Sequence, residues 1–183
     1  MRNKSVATYD DLLAVPGHKV AEIVSGELFA SPRPRIRHAR AGAALTGALY
    51  DSFDRGASGP GGWWILYEPE LHLGGDIIVP DIAGWRRDRL PALPDDPAFT
   101  IAPEWVCEIL SPSTFELDRQ RKSPAYARHG VEWLWLIEPG ERTLEVYRRQ
   151  GDRWAKIESH RADDRVHAEP FEAAEIELSL LWP

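Results

Sequence analysis

The stretch Pro103-Glu104-Trp105-Val106-Cys107-Glu108-Ile109-Leu110-Ser111-Pro112-Ser113-Thr114 decides how the chain is read. Its apolar run is short, holds a single acid at Glu108, and is ended by Ser111-Pro112. That pattern predicts a strand over Glu104 to Leu110. Alternation puts Trp105, Cys107 and Ile109 on one face and Val106, Glu108 and Leu110 on the other. Glu108 thus sits between two apolar neighbours. A lone buried carboxylate is costly unless it is paired or binds a metal.

Upstream, Ile77 to Trp85 reads as a second strand, and its acid is Asp81, on the face of Val79 and Ala83. Two acids on two buried strands have two explanations. One is a pair of structural ion pairs. The other is a hard cation, since Mg²⁺ and Mn²⁺ prefer carboxylate oxygen. Gly74-Gly75-Asp76 predicts a hairpin turn before this strand, with Leu71 to Leu73 preceding it. Trp63 to Tyr67 is strand-like, and Glu68-Pro69-Glu70 interrupts it, so that one of Glu68 and Glu70 can approach Asp81. Arg55 to Gly62 and the proline-rich stretch Arg86 to Pro103 read as loops, and loops as long as the second are often functional.

Nearer the start, Thr8 and Asp11 form a capping-box-like opening for a short helix, Tyr9 to Ala14. Lys19 to Val24 and Glu27 to Ala30 predict a hairpin about Ser25-Gly26. Arg37 to Phe53 has helical spacing, and its face of Ala41, Ala44, Leu45, Ala48 and Leu49 is mostly small, which suits close packing on a sheet. His38 opens that helix, where a capping or structural role is its plain reading.

Downstream of Glu108, Ser113 and Glu116 stand at capping-box spacing and begin a helical region that ends near His129, before Gly130. Pro124 either kinks this helix or, with Ser123 as cap, starts a second one. Phe115, Asp118, Lys122, Tyr126 and His129 form one stripe at helical spacing. The helix directly follows the Glu108 strand, so it can return over the sheet and bring Lys122 to the acids, where it would stabilise charge on a phosphate. The plainer reading is a surface Asp118–Lys122 pair worth about 0.3 kcal/mol, with Tyr126 as a packing residue. Ser111 and Ser113 lack a Gly-x-Ser-x-Gly context and read as turn and cap residues.

The remainder predicts a C-terminal meander: Glu132 to Ile137, Thr143 to Arg148, Arg153 to Ser159, and an edge strand within Glu175 to Leu180. The element order predicts an α/β fold, a mixed sheet with helices on its faces, in one domain over residues 1–183.

Composition narrows the function. Hydrophobic residues make up 43% of the 183, enough for a substantial core. The single cysteine, Cys107, excludes an intrachain disulfide and a paired-cysteine metal site, and fits a reducing, cytoplasmic setting. Met1 to Asp10 has no apolar run for a signal peptide, and nothing approaches the ~18 apolar residues of a membrane span. A net charge of -7 argues against a generic nucleic-acid coat but not against a nuclease, whose carboxylates meet phosphate through a metal. Arg33, Arg35, Arg37 and Arg40 form one basic group, and Arg86, Arg87 and Arg89 another; each is either solvated surface or a phosphate-backbone contact. Trp133, Trp135, Trp154 and Trp182 raise the alternative of an aromatic assembly interface, including a homodimer.

Several of these stretches together resemble the Uma family, a large group of mostly bacterial, restriction-endonuclease-like proteins within the PD-(D/E)XK nuclease superfamily. The residues that carry the resemblance are Glu22 to Leu28, Ser31-Pro32, His38, Val79-Pro80-Asp81, Pro103 to Thr114, Asp118, Lys122, Tyr126 and Gly130 to Leu136, within a span from about residue 8 to residue 150. The resemblance implies a restriction-endonuclease-like fold and a metal-dependent nuclease acting on nucleic acid, with DNA the first choice. It implies Asp81 and Glu108 as ligands of Mg²⁺ or Mn²⁺, Glu22 as an additional acid, and Lys122 as the catalytic lysine. One departure matters. The superfamily's lysine stands two residues after the strand acid, and here that position is Leu110. Lys122, from the following helix, is then the replacement. The rival expectation is a catalytically silent module of the same fold that binds nucleic acid or a protein partner.

Overall fold

The structure, a computed structural model, describes residues 6–182; the first part of the Met1–Asp10 stretch lies outside them. The two strand acids predicted above belong to a protein built on two main β-sheets. Strand β7 (Trp105–Ile109) is central to the larger one, which has six strands. On one side of β7 lie β6 (Ile82–Arg86) and then β3 (Trp63–Tyr67). On the other lie β8 (Trp133–Glu138), β9 (Thr143–Gln150) and β10 (Arg153–Arg161), the predicted meander. The β7–β8 pair is parallel and its neighbours are antiparallel. A parallel neighbour needs a crossover, and the helical segment after β7 supplies it.

The smaller sheet has four strands in the order β2-β1-β5-β4: β1 (Lys19–Val24), β2 (Glu27–Pro32), β4 (Leu71–Leu73) and β5 (Asp76–Ile78). Here the structure corrects the sequence reading. Ile77 to Trp85 is not one strand. It is β5 in the small sheet and β6 in the large one, joined by Val79-Pro80-Asp81. Pro80 has no N–H to give to a ladder, so pairing stops there and the chain changes sheets. Asp81 consequently stands at a break between sheets rather than within a strand.

Period-two alternation divides the large sheet into two cores. Trp105, Cys107, Ile109, Trp133, Trp135 and Ile137 face one layer, built with helix α2 (Ile36–Leu49) and the C-terminal segment. Val106, Leu110, Leu134 and Leu136 face the other, built with α3 (Ser123–Arg128) and the small sheet. Glu108 points to the second layer with Val106 and Leu110, as the pattern predicts. Helix α2 packs closely because its sheet-facing residues are small. A Cβ at Gly42 would lie 3.2 Å from the Ile109 side chain and 3.1 Å from Tyr67. The predicted helix runs on past Leu49, but its last turn, Tyr50–Asp54, is π-helical.

Pro124 does not follow a Ser123 cap: Ser123 is itself the first residue of α3. A π-helical segment, Leu117–Lys122, runs directly into α3, with Pro124 in the first turn of the latter. The Ser123 hydroxyl donates back to the Asp118 carbonyl at 2.7 Å. Gly130 ends α3 at φ 87°, a left-handed conformation that glycine adopts without strain. Near the start, α1 (Tyr9–Leu13) carries the Thr8–Asp11 capping box in full.

Of the tryptophans singled out for an interface, Trp133, Trp135 and Trp182 are buried within the protein's own core. The segment after β10 folds back as a short pair, β11 (Arg165–Val166) and β12 (Ile176–Glu177), followed by a 3₁₀ turn at Leu178–Leu181. The edge strand expected in Glu175 to Leu180 is therefore only β12. Between β11 and β12, Phe171 inserts among Phe53, Trp63, Trp105 and Trp135, with ring centroids 4.7–5.6 Å apart. Trp133 and Trp135 donate from their indole nitrogens to Glu169, and Trp182 to the Ala162 carbonyl. Trp154 is partly buried and donates to the Ser123 carbonyl. No helix among the described residues is long and apolar enough to cross a membrane. Phe171→Ala should cost about 3–5 kcal/mol of unfolding free energy in urea melts. A cost below about 1 kcal/mol would mean that the C-terminal segment is not part of the main core.

Candidate active site

The break at Pro80 opens a small cavity of about 50 Å³ between the two sheets and the helix that follows β7. Glu22 reaches it from β1, Asp81 from the break, Glu108 from β7, and Asp118 and Lys122 from the π-helical segment. The fold thus brings together all four residues singled out by the sequence. It adds Asp118, which the sequence reading treated only as a helix partner of Lys122.

Lys122 lies at the centre and is 3% exposed. Its ammonium is 2.9 Å from Glu108 Oε1, 3.0 Å from Glu22 Oε1 and 3.6 Å from Asp118 Oδ1. It also donates to the Val79 carbonyl at 2.9 Å. An ammonium has three N–H donors, and Glu22, Glu108 and Val79 take all three. The surface-pair reading of Asp118 and Lys122 is therefore wrong, since both are buried. A π-helical winding turns Leu117, Asp118 and Lys122 inward together.

Glu108, 1% exposed, receives both of its hydrogen-bonded contacts on one oxygen. Tyr126 Oη donates to Oε1 at 2.5 Å, beside Lys122. Tyr126 is therefore a site neighbour as well as a core residue. Phe115, by contrast, is substantially exposed and leaves the predicted stripe, while His129 bonds Asp76 away from the cavity. Glu22 Oε1 also accepts from the Val79 N–H at 2.9 Å, tying the small sheet to the break.

Asp81 is held differently. The Ile109 N–H donates to its Oδ2 at 2.7 Å, so the residue after Glu108 positions the other acid. His38 Nε2 lies 3.1 Å from both carboxylate oxygens. His38 comes from the first turn of α2 and is buried, and its Nδ1 has no partner among the described residues. Of the flanking acids, Glu68 lines the cavity, whereas Glu70 pairs with His72 elsewhere. The clue to His38 was its place in the first turn after Pro34. The clue to Tyr126 was its spacing of four from Lys122.

The electrostatics follow from burial. Desolvation pushes Glu108 well above the usual carboxylate range, against the pull of Lys122. It pushes Asp118 up to about 6, again opposed by Lys122 and by a Thr114 hydrogen bond. Burial works against the charged form of Lys122, but Glu108 and Glu22 outweigh it and hold the ammonium protonated. For His38, burial is likewise outweighed by the Asp81 hydrogen bond and charge, and its pKa is raised.

The donor set is of the kind a hard divalent cation takes: five carboxylates line the cavity, against Lys122, His38 and, at the mouth, Arg33 and Arg35. They are not already gathered for one. Among the described residues no three His, Cys, Asp or Glu side chains form a ready metal site. Lys122 accounts for this, because it occupies the space between Glu22, Glu108 and Asp118. Asp81 and Glu108 both line the cavity, the Ile109 N–H next to Glu108 holds Asp81, and among the described residues Glu108 is engaged on only one of its oxygens.

The two basic groups separate. Arg33 and Arg35 line the cavity mouth, and Arg35, Arg37 and Arg40 make no ion pair among the described residues. Arg86 to Arg89 lie at the far end of β6 from Asp81, about 16 Å away at ~3.3 Å per residue, and serve the fold. Arg87 bonds Asp54 and the Trp63 carbonyl and stacks 3.7 Å over Trp64, while Arg89 pairs with Glu104.

Comparison with known proteins agrees with this architecture. A similar fold is found in the crystal structure, at 1.96 Å resolution, of a protein from Anabaena variabilis described as "a putative nuclease belonging to DUF820". The TM-score is 0.75 with 24% identity, covering 96% of this chain and 97% of that one. No curated protein matches the sequence. The model of the Uma2 family, described as "Putative restriction endonuclease", matches residues 6–180, and the chain belongs to that family.

Proposed function

We propose that the protein is a divalent-metal-dependent phosphodiesterase that cleaves nucleic acid, with DNA as the first substrate to test. The observation that carries this reading is the excess of buried acid around one lysine, in a cavity bordered by Arg33 and Arg35, which make no ion pair among the described residues. Buried charge in such excess is costly unless a cation balances it. Family membership and the nuclease-like fold support the same reaction class.

Asp81 and Glu108 would hold Mg²⁺ or Mn²⁺, with Glu22 as an additional acid. A bound metal of this kind lowers the pKa of its water and offsets charge on the phosphate. The chain's own residues have separate tasks. His38 and the Ile109 N–H fix Asp81. Tyr126 fixes Glu108. Lys122 would neutralise charge on the reacting phosphate, and for this it must release one of its three present acceptors. Arg33 and Arg35, at the cavity mouth, would hold the backbone.

Purified protein with Mg²⁺ or Mn²⁺ should cleave DNA, and chelator should stop it. Asp81→Asn should reduce the rate by at least ~100-fold while circular dichroism shows that the fold is kept, and Lys122→Met should do the same at a stability cost of about 3–5 kcal/mol, its rate being read where urea melts show it folded. Absence of cleavage by the wild type on DNA and RNA, or undiminished cleavage by Asp81→Asn, would sink the proposal.

The buried acids also predict a pH signature. Asp118 has a folded-state pKa raised from 3.8 to about 6, so the folded state binds more protons than the unfolded one in that interval. Stability should fall as pH rises from about 4 to about 6, by an amount on the order of 3 kcal/mol from this group. Glu108, raised in the same direction, adds to the slope. Metal-free urea melts across this range should show the decline, and Asp118→Asn should flatten it. A wild-type profile that rises through the interval would contradict the assigned charge states.

A further inference from the structure

Beside the acid cavity lies a larger hollow of about 610 Å³. Its walls are mainly apolar, from Pro34, Ile36, Leu110, Pro112 and Pro139. Pro34, Arg35, His38 and Ser111 border both hollows, so the two adjoin along that wall. The sizes differ in kind. About 50 Å³ has room for little more than phosphate oxygens or water. The neighbour lies within the ~300–1,000 Å³ range of small-molecule sites.

Ile36, the first residue of α2, is 86% exposed at the edge of this hollow. A lone exposed isoleucine is ordinary. This one is flanked by Arg35 and Arg37, both exposed and neither ion-paired among the described residues. Two residues on, His38 bonds Asp81. An aliphatic surface between two free cations, adjoining an acid site, matches one chemistry well: a base beside its own phosphate.

We infer that the apolar hollow seats an unstacked nucleobase adjacent to the phosphodiester held at the acids, so that the preferred substrate is single-stranded or locally unpaired nucleic acid. This rests on the nuclease reading above and goes further by naming the state of the substrate. Arg35 and Arg37 complement the flanking phosphates, and a guanidinium plane is also a stacking surface for a base. A base within an intact duplex must first leave its stack, at a cost of a few kcal/mol. That cost is absent for a single strand.

The test is fluorescence anisotropy of a short labelled oligonucleotide, as single-stranded DNA, single-stranded RNA and blunt DNA duplex, in Ca²⁺, which binds carboxylate oxygen. Wild-type protein should bind a single strand roughly tenfold more tightly than the duplex. Ile36→Ser should weaken single-strand binding severalfold, and Ile36→Glu should erase the preference. Leu180→Glu, the same charge change at an exposed residue of the C-terminal turn, should leave the preference intact. Both Ile36 variants alter a solvent-facing side chain, so folding is preserved. Equal or tighter duplex binding, or equal effects of Leu180→Glu and Ile36→Glu, overturns the base seat and leaves the nuclease reading standing. Binding of none of the three oligonucleotides by wild type overturns both.

Discussion

The site and the join between the sheets both depend on one ammonium, that of Lys122. It contacts Glu22 of the small sheet, Glu108 of the large sheet, Asp118 of its own helical segment and the Val79 carbonyl at the break. Remove it and three buried acids lose their counter-charge and the Val79 carbonyl its donor. Breaking a buried ion pair on one side costs about 3–5 kcal/mol, a large share of a typical domain's stability. The same contacts saturate its donors. A lysine held in this way is a structural cation first, and the proposed chemistry requires that it exchange one protein partner for a substrate oxygen.

The break at Pro80 is the second constraint. Had Ile77 to Trp85 continued as one strand, alternation would have fixed Asp81 flat against a sheet face. Because the chain changes sheets there, Asp81 meets Glu108 from a different direction, fastened by the Ile109 N–H. One hydrogen bond therefore couples the main chain of the Glu108 strand to the second acid. His38 then extends that coupling to the start of α2, where the cavity meets the apolar hollow.

The legible parts of the sequence were those with a local cause. Period-two alternation placed Glu108 opposite Cys107, Ala41, Leu45 and Leu49 marked the sheet-facing side of α2 although Ala48 of the same expected face is exposed, and Gly130 marked the end of α3. The family resemblance pointed to Glu22, which no local pattern distinguished from an exposed acid. What could not be read depended on distant partners. Pro80 was visible, but the apolar residues on both sides of it imitated a single strand. Leu117 to Lys122 is almost entirely polar, so its plainer reading was surface, and the burial of Asp118 and Lys122 depends on acids from distant strands that surround the lysine. Phe171 has no periodic context at all, and its aromatic surroundings come from residues far away in the chain.

These constraints converge on a cation-binding account of the cavity, which a crystal of the protein soaked in Mn²⁺ tests most directly. The account predicts anomalous density between Asp81 and Glu108, with the Lys122 ammonium shifted away from Glu108. Density elsewhere on the protein, or an unchanged Lys122–Glu108 contact with no density at the acids, would contradict it.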